Sequence, residues 1–299
     1  MKNKTGLVLA GGGGKGSYQI GVWKALHEHH LIDYFGAVSG TSVGSLNAFL
    51  FSTGNLEKAI SLWENITSST ILSHKEHGDC KRLMDKLSYI ADPCQEEGWF
   101  SQEGLFKLIR SSILQNDINN MKIPCYATCS RIKNRHLLYS LSKKLSQGQT
   151  LEKIMSVFSL SLLKFNTTAE HFLLNHRKID ALYSVLLATS AIPFVFDDIY
   201  INPYYYLDGG LNDNVPVNPL HDCGYRKFLI ISLQHEKSDS QKKFKDSSFF
   251  ELSRGGMLIN NMASTFNFNP KSIEHGIQKG YDDCKKQIYE LTSFLDEEG

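Results

Sequence analysis

The sequence predicts an α/β fold with a mainly parallel central sheet. Three observations carry that expectation: a short apolar run closed by glycines, an amphipathic stretch directly after it, and a second apolar run ending in a tight glycine–serine turn. Thr5 to Ala10 is the first run, short and bounded by Gly11, so it reads as a buried strand. Ser17 to His30 follows, with Ile20, Trp23 and Leu26 at helical spacing. Tyr34 to Val38 reads as the second strand, Gly40 to Gly44 as a tight turn, and Val43 to Leu50 as the start of a second helix. Leu56 to Ile66, Gln102 to Leu114, Leu151 to Phe165 and Asp180 to Thr189 also read as helices, the last ending before Pro193. Ile123 to Ser130 and His136 to Ser140 read as strands joined by the polar turn Arg131 to Arg135. Ile199 to Ile201 and Tyr204 to Leu207 flank a turn at Asn202-Pro203, and Lys227 to Leu233 is a further strand. Gln234 to Asp246 reads as a charged loop. Ile273, Ile277, Cys284, Ile288, Leu291 and Leu295 mark a long C-terminal helix. With no internal repeat and no linker composition, one domain is expected over residues 1–299, with a motif-bearing core at about 5–233 and a helical C-terminal segment at about 247–296.

Bulk composition narrows the function classes. Hydrophobic residues make up 41% and charged residues 21% of the 299, an ordinary globular balance. A formal net charge of +1 gives no electrostatic case for nucleic acid as a partner. No apolar run approaches the roughly 20 residues needed to span a bilayer. Gly6 to Ala10 is too short for a secretory apolar region and runs into glycines, so a cytoplasmic protein is expected. The six cysteines show no zinc spacing and are expected to be reduced thiols, with Cys125 and Cys129 structural.

Two motifs carry chemistry. Gly40-Thr41-Ser42-Val43-Gly44 fits G-x-S-x-G. A serine on a sharp strand-to-helix turn has its hydroxyl pushed outward, and the flanking glycines remove side chains that would collide with the neighbouring strand and helix. Gly11-Gly12-Gly13-Gly14-Lys15-Gly16 lies between a strand and a helix. Amides there suit either a pyrophosphate or the charged oxygen of a tetrahedral intermediate. A dinucleotide site would place an acidic residue at the end of the second strand, where this chain has Val38-Ser39-Gly40. A phosphate-binding P-loop would follow Lys15 with Ser or Thr instead of Gly16. With a serine turn at the tip of the next strand, the oxyanion reading is preferred.

Those two blocks, followed by Asp208-Gly209-Gly210, resemble in order the three signature blocks of patatin-like phospholipases, and Ala188-Thr189-Ser190-Ala191-Ile192-Pro193-Phe194 resembles the small-residue and proline segment before the third. The resemblance covers the first fifty residues or so and Asp180 to Leu220. It implies a three-layer α/β/α fold and a Ser-Asp dyad: Ser42 as nucleophile, Asp208 as its base, and the amides of Gly11, Gly12, Gly13 and Gly14 as oxyanion hole. Lys15, Gly16, Gly40, Gly44, Gly209 and Gly210 support the motifs, with Lys15 standing where many members have arginine. No metal and no cofactor is implied. A carboxylate at a strand tip beside a flexible turn also suits a base facing a serine at another strand tip. His221 would complete a Ser, Asp, His order, but reads as a surface loop residue, as Asp213, Asp197 and Asp198 read as turn or cap residues.

The expected function is metal-independent hydrolysis of carboxylic esters of membrane phospholipids, of phospholipase A or lysophospholipase type, at a cytoplasmic location with peripheral membrane contact. The substrate partner is a phospholipid or membrane surface. Met155 to Phe165 is a candidate greasy lid, and Phe194-Val195-Phe196 and Tyr204-Tyr205-Tyr206 candidate acyl-pocket linings. The alternative is a conditionally active effector, silent until an unidentified partner or small signal binds, or a non-catalytic module holding a nucleotide or phosphorylated ligand.

Overall fold

The computed structural model describes residues 4–71, 73–74, 100–137, 157–193, 195–234, 237–255 and 265–297. Eight strands form one sheet: β1 Thr5–Leu9, β2 Phe35–Thr41, β3 Cys125–Ile132, β4 Thr167–Leu173, β5 Ile199–Ile201, β6 Tyr204–Asp208, β7 Lys227–Ser232 and β8 Ser248–Ser253. The order is β8-β7-β1-β2-β3-β6-β5, with β4 also paired to β3. β8, β7, β1, β2 and β3 run parallel, and β4, β6 and β5 complete the sheet through antiparallel pairs. Every residue of β1, β2 and β7 is buried, as a parallel sheet covered on both faces requires.

The two faces are covered unequally. On one, Leu7, Leu9, Val38, Cys125 and Cys129 pack under helices α1 Ser17–Glu28, α2 Val43–Thr53, α3 Leu56–Asn65 and α4 Glu103–Ser112. On the other, Val8, Ala37 and Ile230 meet Val217 and Leu220 of the short helix Asn218–Asp222. Ile132 and Leu207 meet Leu163 of α5 Val157–Phe165. Helix α6 Ile179–Thr189 and the C-terminal helices α7 Pro270–Lys286 and α8 Ile288–Asp296 add to the thick layer. Three layers result, as the sequence led us to expect.

Some expectations need correction. β3 runs straight through Arg131 where a turn was expected, because β4 and β6 pair with both of its edges there. His136 lies in a helical stretch and not in a strand, and 138–140 fall outside the described residues. β4 was not foreseen: its sequence TTAEHFL shows no apolar alternation. The C-terminal segment opens with a strand, β8, before its helices, and the expected single helix breaks at Gln287. Residues 151–156 of the helix expected over 151–165 lie outside the described residues.

α1 and α7 pack so closely that a Cβ on Gly21 would overlap the Ile277 carbonyl, and one on Gly280 would overlap the Tyr18 carbonyl. Gly21→Ala should therefore lower the urea midpoint, by an amount equivalent to about 1–3 kcal/mol of overpacking.

Candidate active site

One edge of β3 is shared by two strands. β2 occupies it up to the pair Thr41–Thr128, and β6 takes it over at the pair Asp208–Cys129. Because β2 runs parallel to β3 and β6 antiparallel, the end of β2 and the end of β6 abut there. Side chains alternate along a strand. Ser42 follows Thr41, and Asp208 stands opposite the buried Cys129, so both aim at the thick helical face. The Ser42 side chain lies beside the Asp208 carboxylate, close enough to favour its charged form, and Gly210 N–H donates to Asp208 Oδ1 at 2.7 Å. Both residues are buried, Ser42 at 8% and Asp208 at 7% exposure.

Ser42 has φ 55° and ψ −128°, a conformation that L-residues rarely adopt. The glycine spacing has a visible cause. A Cβ on Gly40 would overlap the Gly44 carbonyl, and one on Gly44 would overlap the Leu9 carbonyl of β1. Tertiary contacts hold the strained turn. Ser42 N–H donates to Thr189 Oγ1 at 2.9 Å, and Thr189 Oγ1 donates to the Thr128 carbonyl at 2.5 Å. Thr41 Oγ1 donates to the Asp213 carbonyl at 2.8 Å.

The glycine loop lies against this turn, with the Cβ position of Gly11 3.3 Å from Ser42 Cβ. Its ends are tied from below by buried side chains. Gln19 Nε2 donates to the Ala10 carbonyl at 2.8 Å and Asn47 Nδ2 to the Gly16 carbonyl at 3.0 Å, while Trp63 Nε1 donates to Asn47 Oδ1 at 2.8 Å. Gly11 departs from the oxyanion expectation, because its N–H donates to the Asn214 carbonyl at 3.2 Å. That bond makes Gly11 a loop anchor. Gly12, Gly13 and Gly14 open the helical turn Gly13–Gly16, whose first N–H groups have no partner within the turn. Gly13 has φ +57°, and a Cβ there would overlap the Thr265 carbonyl. Lys15 is half-buried and paired with no carboxylate among the described residues. Burial, then the nearby Arg254, lowers its pKa.

A pocket of about 560 Å³, counting its open mouth, starts at Ser42 and Gly13. Its walls include Ile66, Ile71, Leu105, Ile109, Phe196 and Phe266, and no charged residue lines it among the described residues. Burial pushes the Asp208 carboxyl up to about 6, against the opposing hydrogen bonds from Ser42 and Gly210. Under the opposite face, His171 Nδ1 lies 3.0 Å from Thr128 Oγ1 and its Nε2 3.6 Å from Asp213 Oδ2. Burial lowers the His171 pKa and raises that of Asp213, each partner opposing the shift in the other.

Several expected residues lie elsewhere. His221 bonds Asp246 at 3.0 Å beside Phe244, on the thin face, and is not brought to Ser42. Asp198 pairs with Arg135 at 2.8 Å. Tyr204, Tyr205 and Tyr206 do not line the pocket: Tyr206 packs on Phe172, and Tyr205 on Tyr200. Phe196 does line it, and Phe194 is outside the described residues. The expected lid departs likewise, since Leu163 packs on Ile132 and Leu207 instead of over the pocket. Thr189, Asn214 and His171 were not assigned roles from sequence, and Asp213 read as a turn residue. Thr189, Asp213 and Asn214 lay within the segment Asp180 to Leu220 already singled out, and His171 did not.

The family model described as patatin-like phospholipase matches residues 7–221. A probable lipid hydrolase, 463L of Invertebrate iridescent virus 6, is 28% identical over 221 residues. The match covers 71% of this chain and 61% of the relative, so this chain spans less than two thirds of that protein's length. Human GIVD cytosolic phospholipase A2 aligns over 98% of this chain and 60% of its own, with TM-score 0.55 and 10% identity, a likeness of fold. VipD from Legionella pneumophila aligns over 99% of this chain and 67% of its own, with TM-score 0.48 and 17% identity.

Thr189→Val keeps the shape of the side chain but removes the acceptor for the Ser42 amide. Turnover of a soluble ester should fall about 10–100-fold through misplacement of the serine, with the near-ultraviolet circular dichroism spectrum retained.

Proposed function

Since the chain belongs to the patatin-like phospholipase family, we propose that it is a lipid acyl hydrolase of the phospholipase A or lysophospholipase type, with Ser42 as nucleophile and Asp208 as its base. The observation that carries this reading is the position of Ser42, beside a buried carboxylate on one side and open on the other to a pocket whose described lining is mostly apolar. The acyl chain enters the pocket and presents its carbonyl to Ser42. As Ser42 Oγ attacks, its proton passes to Asp208, and the amides of Gly12, Gly13 and Gly14 receive the charge on the carbonyl oxygen. The alcohol leaves with the proton held by Asp208. Asp208 then takes a proton from water as the water oxygen attacks the acyl-serine, and returns it to Ser42 Oγ as the free acid departs. Lys15 and Arg254 supply cations near the glycine loop for a substrate phosphate. The nucleotide-module alternative fits less well, because the described pocket lining is mostly aliphatic and aromatic, which suits an acyl chain better than a sugar and base.

A fluorophosphonate probe should label Ser42, detected by peptide mass spectrometry, and labelling should vanish in Ser42→Ala and Asp208→Asn. Labelling elsewhere, or full esterase activity in Ser42→Ala, would sink the assignment.

With its carboxyl at about 6, Asp208 must be ionised to accept a proton, so kcat/KM should fall about tenfold per pH unit below that value. The same shift bears on stability. Between the ordinary carboxylate value and about 6, the folded chain holds a proton that the unfolded chain has lost. Stability therefore declines as pH rises through that window and is level above it, at a total cost of about 3 kcal/mol. Asp208→Asn should abolish turnover yet raise the melting temperature at pH 7.5, with less gain at pH 4.

A further inference from the structure

β3 and β6 do not stop at the dyad. β3 runs on past Cys129 to Ile132, and β6 begins at Tyr204, four residues before Asp208. At about 3.3 Å per residue the β5–β6 hairpin reaches about 13 Å beyond the dyad. It projects from the edge of the sheet where β1 and β2 deliver the glycine loop and Ser42. Ile192 and Phe196, which wall the pocket, lead directly into this hairpin.

The projecting end carries rings and cations together. Phe165 is 80% exposed, Tyr200 53% and Tyr204 44%. The Arg135 guanidinium lies 3.9 Å from the Tyr205 ring centre, that of Arg131 4.5 Å from Tyr204, and the Lys133 ammonium 5.8 Å from Phe165. Glu170 and Asp198 answer Arg131 and Arg135. Lys133 and Lys164 pair with no carboxylate among the described residues. Single exposed rings are ordinary on a protein surface. Three of them flanked by Lys133 and Lys164, neither of them in a salt bridge among the described residues, on one projecting end, match the headgroup zone of a bilayer. Amphipathic rings settle there, and anionic lipid attracts cations.

We propose that this end is a membrane-docking surface, which seats the protein on a bilayer containing anionic phospholipid so that the pocket mouth faces the lipid layer. The purpose of the docking rests on the reading of Ser42 and Asp208 as acting on lipid, but the docking itself requires no turnover. The dyad is recessed by about 13 Å from the projecting tips. A lipid acyl chain therefore reaches Ser42 by rising along the hairpin wall from the seated bilayer.

Vesicle flotation tests it, with vesicles of phosphatidylcholine alone and with one third phosphatidylserine. The wild-type chain is expected to float with the phosphatidylserine vesicles. Phe165→Ser combined with Tyr200→Ser and Tyr204→Ser should cut the bound fraction about tenfold. Lys133→Glu with Lys164→Glu should cut it about tenfold on anionic vesicles and leave neutral ones unaffected. Hydrolysis of nitrophenyl butyrate should be equal in all three proteins, which verifies that the variants fold. Variants that float like the wild type overturn the proposal, as does a wild-type chain that floats with neither vesicle, the result expected if the hairpin edge serves a protein partner. A wild-type chain that floats but hydrolyses no ester would overturn the catalytic reading and leave the docking surface standing.

Discussion

The site depends on one backbone arrangement, the handover of a single edge of β3 from β2 to β6. Hydrogen bonds of the sheet fix Thr41 opposite Thr128 and Asp208 opposite Cys129. No loop has to find a conformation to bring serine and aspartate together. Two strands arriving from opposite directions meet end to end, and pleat alternation turns both side chains to the same face. A slip of one residue in either ladder would send one of them to the opposite face.

Around that meeting point the fold bears two costs. Ser42 is held in a backbone conformation worth roughly 1–3 kcal/mol of strain, and Asp208 is a carboxylate kept away from water. Both are held from several directions. Thr189 ties the Ser42 amide to β3, Asp213 ties Thr41, and Asn214 joins the loop after Asp208 to the glycine loop through Gly11. Beneath, Gln19, Asn47 and Trp63 fasten both ends of the glycine loop with buried hydrogen bonds. Breaking one such bond leaves a buried polar group unpaired, which makes the network rigid.

Sequence reading found what local pattern dictates. The first two strands, the serine turn and the helices flanking them announce themselves by apolar runs and glycine punctuation, and Tyr204 to Leu207 by its aromatic run before Asp208. Tertiary pairing was not legible. β4 is polar, with Thr168, Glu170 and His171 half-buried, so its place beside β3 follows from its partners and not from its own period. β8 joins the sheet at the far edge from a segment that composition made look helical. At the site, Ser42 and Asp208 stood out because each lies in a glycine-punctuated turn. Thr189 and Asn214 act through single hydrogen bonds across the fold, and nothing in one chain's local pattern marks such a bond.

The Thr265 and Asn267 carbonyls lie where Cβ atoms on Gly13 and Gly14 would sit, and Thr265, Phe266 and Phe268 complete the wall of the pocket. Those residues leave the ribosome long after Ser42 and Asp208. A growing chain thus holds both Ser42 and Asp208 before the wall that shapes the pocket has been made. The order of translation therefore makes this pocket one of the last features of the described fold that the chain can complete.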